Sequence, residues 1–84
     1  MYAIQFTRQA IKALRKMPAN EAASIRLKIK ELASNPFTVP NVKSLAGRPG
    51  YRLRVGDWRV IFEVAQNEQA ISILTIAQRG GVYR

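Results

Sequence analysis

Apolar and polar positions alternate most regularly from Tyr51 to Val64. Two runs, Tyr51–Val55 and Trp58–Val64, flank Gly56-Asp57. Glycine followed by aspartate between alternating segments predicts a two-residue hairpin turn. That turn sets Val55 opposite Trp58, Arg54 opposite Arg59, Leu53 opposite Val60, Arg52 opposite Ile61 and Tyr51 opposite Phe62. Strand side chains alternate between faces. Tyr51, Leu53, Val55, Trp58, Val60, Phe62 and Val64 therefore form a core face. The other face carries Arg52, Arg54 and Arg59, with Ile61 and Glu63 beside them, and Glu63 is expected to pair with a neighbouring arginine.

The rest of the chain supplies cover for that core face. Tyr2–Phe6 alternates and predicts a first strand with Tyr2, Ile4 and Phe6 inward. Thr7 is a suitable N-cap. Ala10, Ile11, Leu14 and Met17 fall at helical spacing, with Arg8, Lys12, Arg15 and Lys16 on the outer side. Pro18 separates this helix from a second, Ala19–Ser34, with Asn20 as a candidate cap. Its stripe is Ala22, Ile25, Ile29, Leu32 and Ala33. Two prolines punctuate a loop over residues 35–41, and Gly47, Pro49 and Gly50 deliver the chain into the hairpin. Ala70–Ala77 is a nearly continuous β-branched run, fit for a strand buried on both sides and antiparallel to Trp58–Val64. The order is β-α-α-β-β-β. It predicts one α+β domain over residues 1–84, with two N-terminal helices packed on one face of a mostly antiparallel four-stranded sheet. The arginines would occupy the open face.

Charge sharpens this picture. Fourteen Lys and Arg against five Asp and Glu give a net charge of +9 and a pI near 11.0, which points to an anionic partner. Arg54 facing Arg59 costs the sheet roughly 0.2–1 kcal/mol, whereas guanidinium groups on a rigid surface suit phosphate oxygens. The rival reading is a solvated basic face. Lys43 and Arg48 add to the basic surface at the hairpin entrance. The chain has no cysteine and no histidine, which excludes thiolate and imidazole chemistry and their metal sites. Asp57 in the turn and Glu63 on its strand do not make a paired-acid or two-metal site, so no metal and no cofactor are expected. Without a signal pattern or a long apolar run, a soluble, cytoplasmic protein is expected.

The β-α-α-β-β-β order, the stretch from Gly47 to Phe62 and the ending Ile76-Ala77-Gln78-Arg79-Gly80-Gly81-Val82-Tyr83-Arg84 together resemble the RelE/ParE superfamily of bacterial toxins, on its RelE side. The resemblance covers essentially the whole chain. It implies a toxin that cuts messenger RNA in the ribosomal A site and is silenced by an antitoxin encoded beside it, expected to be short, acidic and partly helical. Carried over by position, it implies an active surface of Arg52, Arg54, Arg59, Arg79 and Tyr83. Lys43, Arg48 and Arg84 are expected, from their charge and placement, to bind RNA. Two positions depart from the family pattern. Gln78 replaces the usual histidine of the tail, and Gly80-Gly81 replaces a charged pair.

RNA can be cut without metal when its own 2′-hydroxyl attacks the adjacent phosphate, leaving a cyclic phosphate and a 5′-hydroxyl. Arginines stabilise the developing charge but serve badly in proton transfer, being protonated throughout. Tyr83 is then the candidate base, a role for which its pKa would have to fall and toward which positive neighbours push it, or else an aromatic platform for a base. Arg79 or Arg54 would cover the scissile phosphate. Two other functions share the fold: a ParE-like inhibitor of DNA gyrase, and a basic RNA-binding protein without activity.

Overall fold

Thr7 is the pivot between the first strand and the first helix. In the computed structural model, which describes residues 1–78, its hydroxyl oxygen accepts from the Ala10 amide at 3.2 Å and caps α1 (Arg8–Lys16). The same hydroxyl donates to the Leu74 carbonyl at 2.6 Å. One side chain thus starts the helix and ties it to the last strand. The chain runs β1 (Ala3–Phe6), α1, α2 (Ala19–Ser34), β2 (Val42–Ser44), β3 (Tyr51–Val55), β4 (Trp58–Ala65) and β5 (Ala70–Gln78). Pro18, not Asn20, occupies the N-cap of α2, and no side chain caps that end. Asn20 instead lies within the first turn, its carbonyl accepting from the Ser24 hydroxyl at 3.2 Å.

The sheet has five strands, not four, in the order β1-β5-β4-β3-β2. The additional one is Val42–Ser44, which pairs antiparallel with β3. β1 lies parallel to β5 and the other pairs are antiparallel. The hairpin register is the expected one, from Tyr51↔Phe62 to Val55↔Trp58. Gly56 has φ 59° while Asp57 stays at negative φ, the pattern of a II′ turn, whose first central position favours glycine.

Both helices cover the inner face. Leu53, Val60, Phe62, Ile71, Ile73 and Ile76 meet Ala10, Leu14, Ile25, Ile29 and Leu32 in one core. Each large apolar side chain fully buried there contributes about 1.5–3 kcal/mol. Tyr51 stacks on Phe62 with centroids 5.5 Å apart, and Phe37 meets Tyr51 edge-on at 5.9 Å. Phe6 and Ile11 depart from the expected pattern, being 38% and 39% exposed.

β5 is not buried evenly on both sides. Ile71, Ile73 and Ile76 are buried, and the residues between them are half-buried. Ile61 pairs with Thr75 but Phe62 pairs with Ile73, so Leu74 is an extra residue, a β-bulge. Past the end of β1, α1 completes the edge of β5. The Thr7 amide donates to the Ile73 carbonyl at 3.0 Å. The Gln9 side chain donates to the Ile76 carbonyl at 3.0 Å and accepts from the Ile76 amide at 2.9 Å. Gln9 therefore stands in for a strand residue and closes backbone groups that would otherwise invite another chain.

Candidate nucleic-acid interface

The register places the basic residues in rows across the outer face. One row is Arg54, Arg59 and Ala77; the next is Lys43, Arg52, Ile61 and Thr75. Arg54 is exposed, while Arg52 and Arg59 are half-buried. The Arg59 Nε is fully buried and has no hydrogen-bond partner among the described residues. A buried N–H left unpaired in this way costs about 1–3 kcal/mol, more on a charged group. Among the described residues, no ion pair neutralises Arg54 or Arg59. These two positions thus offer uncompensated guanidinium groups on a rigid scaffold, one of them with a donor that no described residue meets.

Lys43 of β2 faces Arg52 directly, which joins it to the arginine rows. Arg48 lies in the loop between β2 and β3, where the Leu45 amide donates to the Gly50 carbonyl at 3.0 Å. Gly50 holds φ 109°, and a Cβ there would stand 3.0 Å from the Phe62 carbonyl and 3.3 Å from Glu63 Cγ. Only glycine lets the loop lie this close to β4. The result is a depression of about 180 Å3 lined by Leu45, Arg48, Pro49, Ile61, Glu63, Leu74 and Thr75. Ile61, on the arginine side of the hairpin, is only 4% exposed.

Two expectations need correction here. Glu63 forms no ion pair with any described residue; its cross-strand neighbour on β5 is Ser72. Trp58 is not a plain core residue. It is half-buried, and its indole N–H donates to Glu21 Oε1 at 2.6 Å, pinning the first turn of α2 to the hairpin. That pairing borders a second cleft of about 360 Å3, reaching Asn20, Gly56, Asp57 and Gln78. Neither Glu21 nor Thr75 carried a signal in the sequence that would have singled it out. Arg79, Tyr83 and Arg84 lie outside the described residues.

A five-stranded sheet with two helices on one face and arginine rows on the other defines a small basic α+β protein. Comparison with known proteins narrows this class. The family model described as ParE toxin of type II toxin-antitoxin system, parDE, matches residues 4–83. The RelE1 protein of Methanocaldococcus jannaschii is 27% identical, over 96% of this chain and 93% of that protein. Among solved structures, the archaeal RelE-RelB complex from Pyrococcus horikoshii OT3 has a chain that matches at TM-score 0.83 and 29% identity, covering 95% of this chain and 97% of that one. The isolated E. coli RelE toxin matches at TM-score 0.80 and 22% identity, covering 99% and 92%, a likeness of fold. The chain belongs to the RelE/ParE superfamily of type II toxins and is RelE-like.

Proposed function

We propose that this toxin is a metal-independent messenger-RNA endoribonuclease acting on the translating ribosome. The observation that carries the reading is Arg54 directly opposite Arg59, with the Arg59 Nε buried and unpaired among the described residues. Folding alone disfavours both features, and a bound phosphodiester would offset the like-charge pair. Arg52 and Lys43 extend the track along the next row, and Arg48 and Arg84 add contacts to the RNA backbone.

In this reading the RNA 2′-hydroxyl attacks the adjacent phosphorus as Tyr83 accepts its proton. The bond from phosphorus to the 5′-oxygen breaks and that oxygen takes a proton from solvent water, leaving a 2′,3′-cyclic phosphate and a 5′-hydroxyl; Tyr83 must enter the step as the phenolate to accept the first proton. Arg54, Arg59 and Arg79 stabilise the charge that builds on the phosphoryl oxygens. The arginines stay protonated and Gln78 does not supply the proton-transfer range of histidine, so Tyr83 is assigned the base role in this reading. The test compares Arg59→Ala, Arg79→Ala and Tyr83→Phe with the native protein for transcript cutting on translating ribosomes. Losses of about 100-fold or more are expected, on the scale of removing a group that acts on developing charge. Undiminished cutting by all three would remove the assignment.

The partner is a cognate antitoxin. The solved relatives include a RelE-RelB complex, and a net charge of +9 suits an acidic, partly helical chain that orders on binding. The second reading, inhibition of DNA gyrase, draws on the ParE description of the matching family. Supercoiling inhibition without messenger cleavage would select it.

A further inference from the structure

Glu63 is out of place on a surface that binds a polyanion. The other four acids have different settings. Glu21 accepts from Trp58 at 2.6 Å and Glu31 pairs with Lys28 at 3.6 Å. Asp57 and Glu68 sit in the turns on either side of β4. Glu63 stands on β4 itself, two residues beyond Ile61 and so on the same face, which is the face of the arginines. It is exposed and forms no ion pair with a described residue. A carboxylate there repels phosphate, so a role in holding the RNA backbone does not account for it.

Its surroundings are those of a base site. Glu63 lines the depression of about 180 Å3 together with Ile61, Leu74 and Thr75, and Leu45, Arg48 and Pro49 of the loop between β2 and β3 line it as well. A depression of about 180 Å3 has room for several waters or for one planar ring. Ile61 is buried and gives an apolar floor. The floor is continuous with the phosphate track, since Ile61 pairs directly with Arg52. Thr75, across from Ile61, adds a hydroxyl that can donate. Gly50 lets the loop lie so near β4 that a Cβ there would stand 3.3 Å from Glu63 Cγ.

We propose that this depression seats one unstacked base of the RNA held by the arginines, and that Glu63 makes it prefer an amino-bearing base over uracil. The chemistry is that of hydrogen-bond sign. Cytosine and adenine present an amino donor beside a ring-nitrogen acceptor on their Watson–Crick edges. The amino group donates to the Glu63 carboxylate, as a carboxylate accepts from cytosine N4 elsewhere, and the Thr75 hydroxyl donates to the ring nitrogen. Uracil presents a carbonyl where the amino group would be, and two acceptors then face each other. Single-stranded RNA is read through such edges. Glu63 is here a specificity residue and takes no part in the transfer step.

The inference rests on the nuclease reading for the presence of RNA, but its test does not require cutting. Short 2′-O-methyl RNA, whose attacking hydroxyl is blocked, is used as the probe. Hexamers of cytidine and of uridine share ring size and backbone and differ on the edge that matters, and the Glu63 variants separate that edge from any difference in stacking. Fluorescence anisotropy with the purified protein should show cytidine bound at least about tenfold more tightly, the scale of one hydrogen bond to a charged group. Glu63→Gln should bring the two within about twofold, because an amide can satisfy either edge, and Glu63→Asp should keep the direction of the preference. Equal binding of both hexamers by the native protein overturns the proposal. So does a preference unchanged in Glu63→Gln, or failure to bind either hexamer. A protein that shows the base preference but cuts no messenger leaves this site standing and removes the nuclease.

Discussion

The indole N–H of Trp58 donates to Glu21 at 2.6 Å, across 37 positions of sequence. It joins the hairpin turn to the start of α2, an end that no other side chain caps. A hydrogen bond to a charged acceptor contributes about 1.5–3 kcal/mol, reduced here because both groups are only partly buried. Glu21→Ala and Trp58→Phe should each lower stability by roughly 1–2 kcal/mol. The double variant should lose less than the sum, by roughly 1 kcal/mol. Urea midpoints of the four proteins measure this, and strictly additive effects would show that the hydrogen bond does not couple the two elements.

Arg54 and Arg59 should behave in the opposite way. Removing either relieves like-charge repulsion worth roughly 0.2–1 kcal/mol, so Arg54→Ala should leave stability unchanged or slightly higher. Its affinity for single-stranded RNA should fall, with the slope of log K against log salt shallower by about 0.7 for each phosphate no longer neutralised. A variant that loses stability while keeping the native salt slope would make Arg54 a structural residue.

Gly47 and Gly50 both hold positive φ, but their surroundings differ. A Cβ at Gly47 meets nothing within 4 Å, while one at Gly50 meets the Phe62 carbonyl at 3.0 Å. Gly47→Ala should cost about 1–2 kcal/mol, the left-handed strain alone. Gly50→Ala should cost more, since the loop must also move away from β4. Thermal melts of the two variants rank them, and an equal cost would mean that the loop relaxes freely.

Gln9 stands in for a strand residue through two hydrogen bonds to Ile76. Gln9→Ala strands an amide and a carbonyl and should cost about 1–3 kcal/mol. Gln9→Glu can still accept from the Ile76 amide but sets a carboxylate against its carbonyl, so it should not restore stability. Hydrogen exchange at the Ile76 amide reports directly: faster exchange in Gln9→Ala is expected, and native protection would discount the pairing.

The hairpin was legible in the sequence because Gly56-Asp57 and strict alternation on either side leave one register, and every expected pair from Tyr51↔Phe62 to Val55↔Trp58 is present. β2 was not, since three residues between Pro40 and Gly47 are too few for a periodic signal. The arginine rows followed from parity alone. The setting of Glu63 did not: the loop that walls it in is brought there by tertiary packing at Gly50. Trp58 has the parity of a core residue, and only the arrival of α2 reveals the partner for its indole N–H. The bulge did leave a trace, in the spacing of Ile71, Ile73 and Ile76, but a β-branched run of that density hides a change of phase.

That change of phase makes β5 a strand with one permitted position. In an unbroken alternation a slide of two residues returns apolar side chains to the interior. Here the inward slots are held by Ile71, Ile73 and Ile76. Sliding the chain by two in one direction fills them with Ile73, Thr75 and Gln78, and in the other with Gln69, Ile71 and Leu74. Misaligned partners are thereby discarded during folding, and the single inserted residue works as a vernier that reads true at one setting.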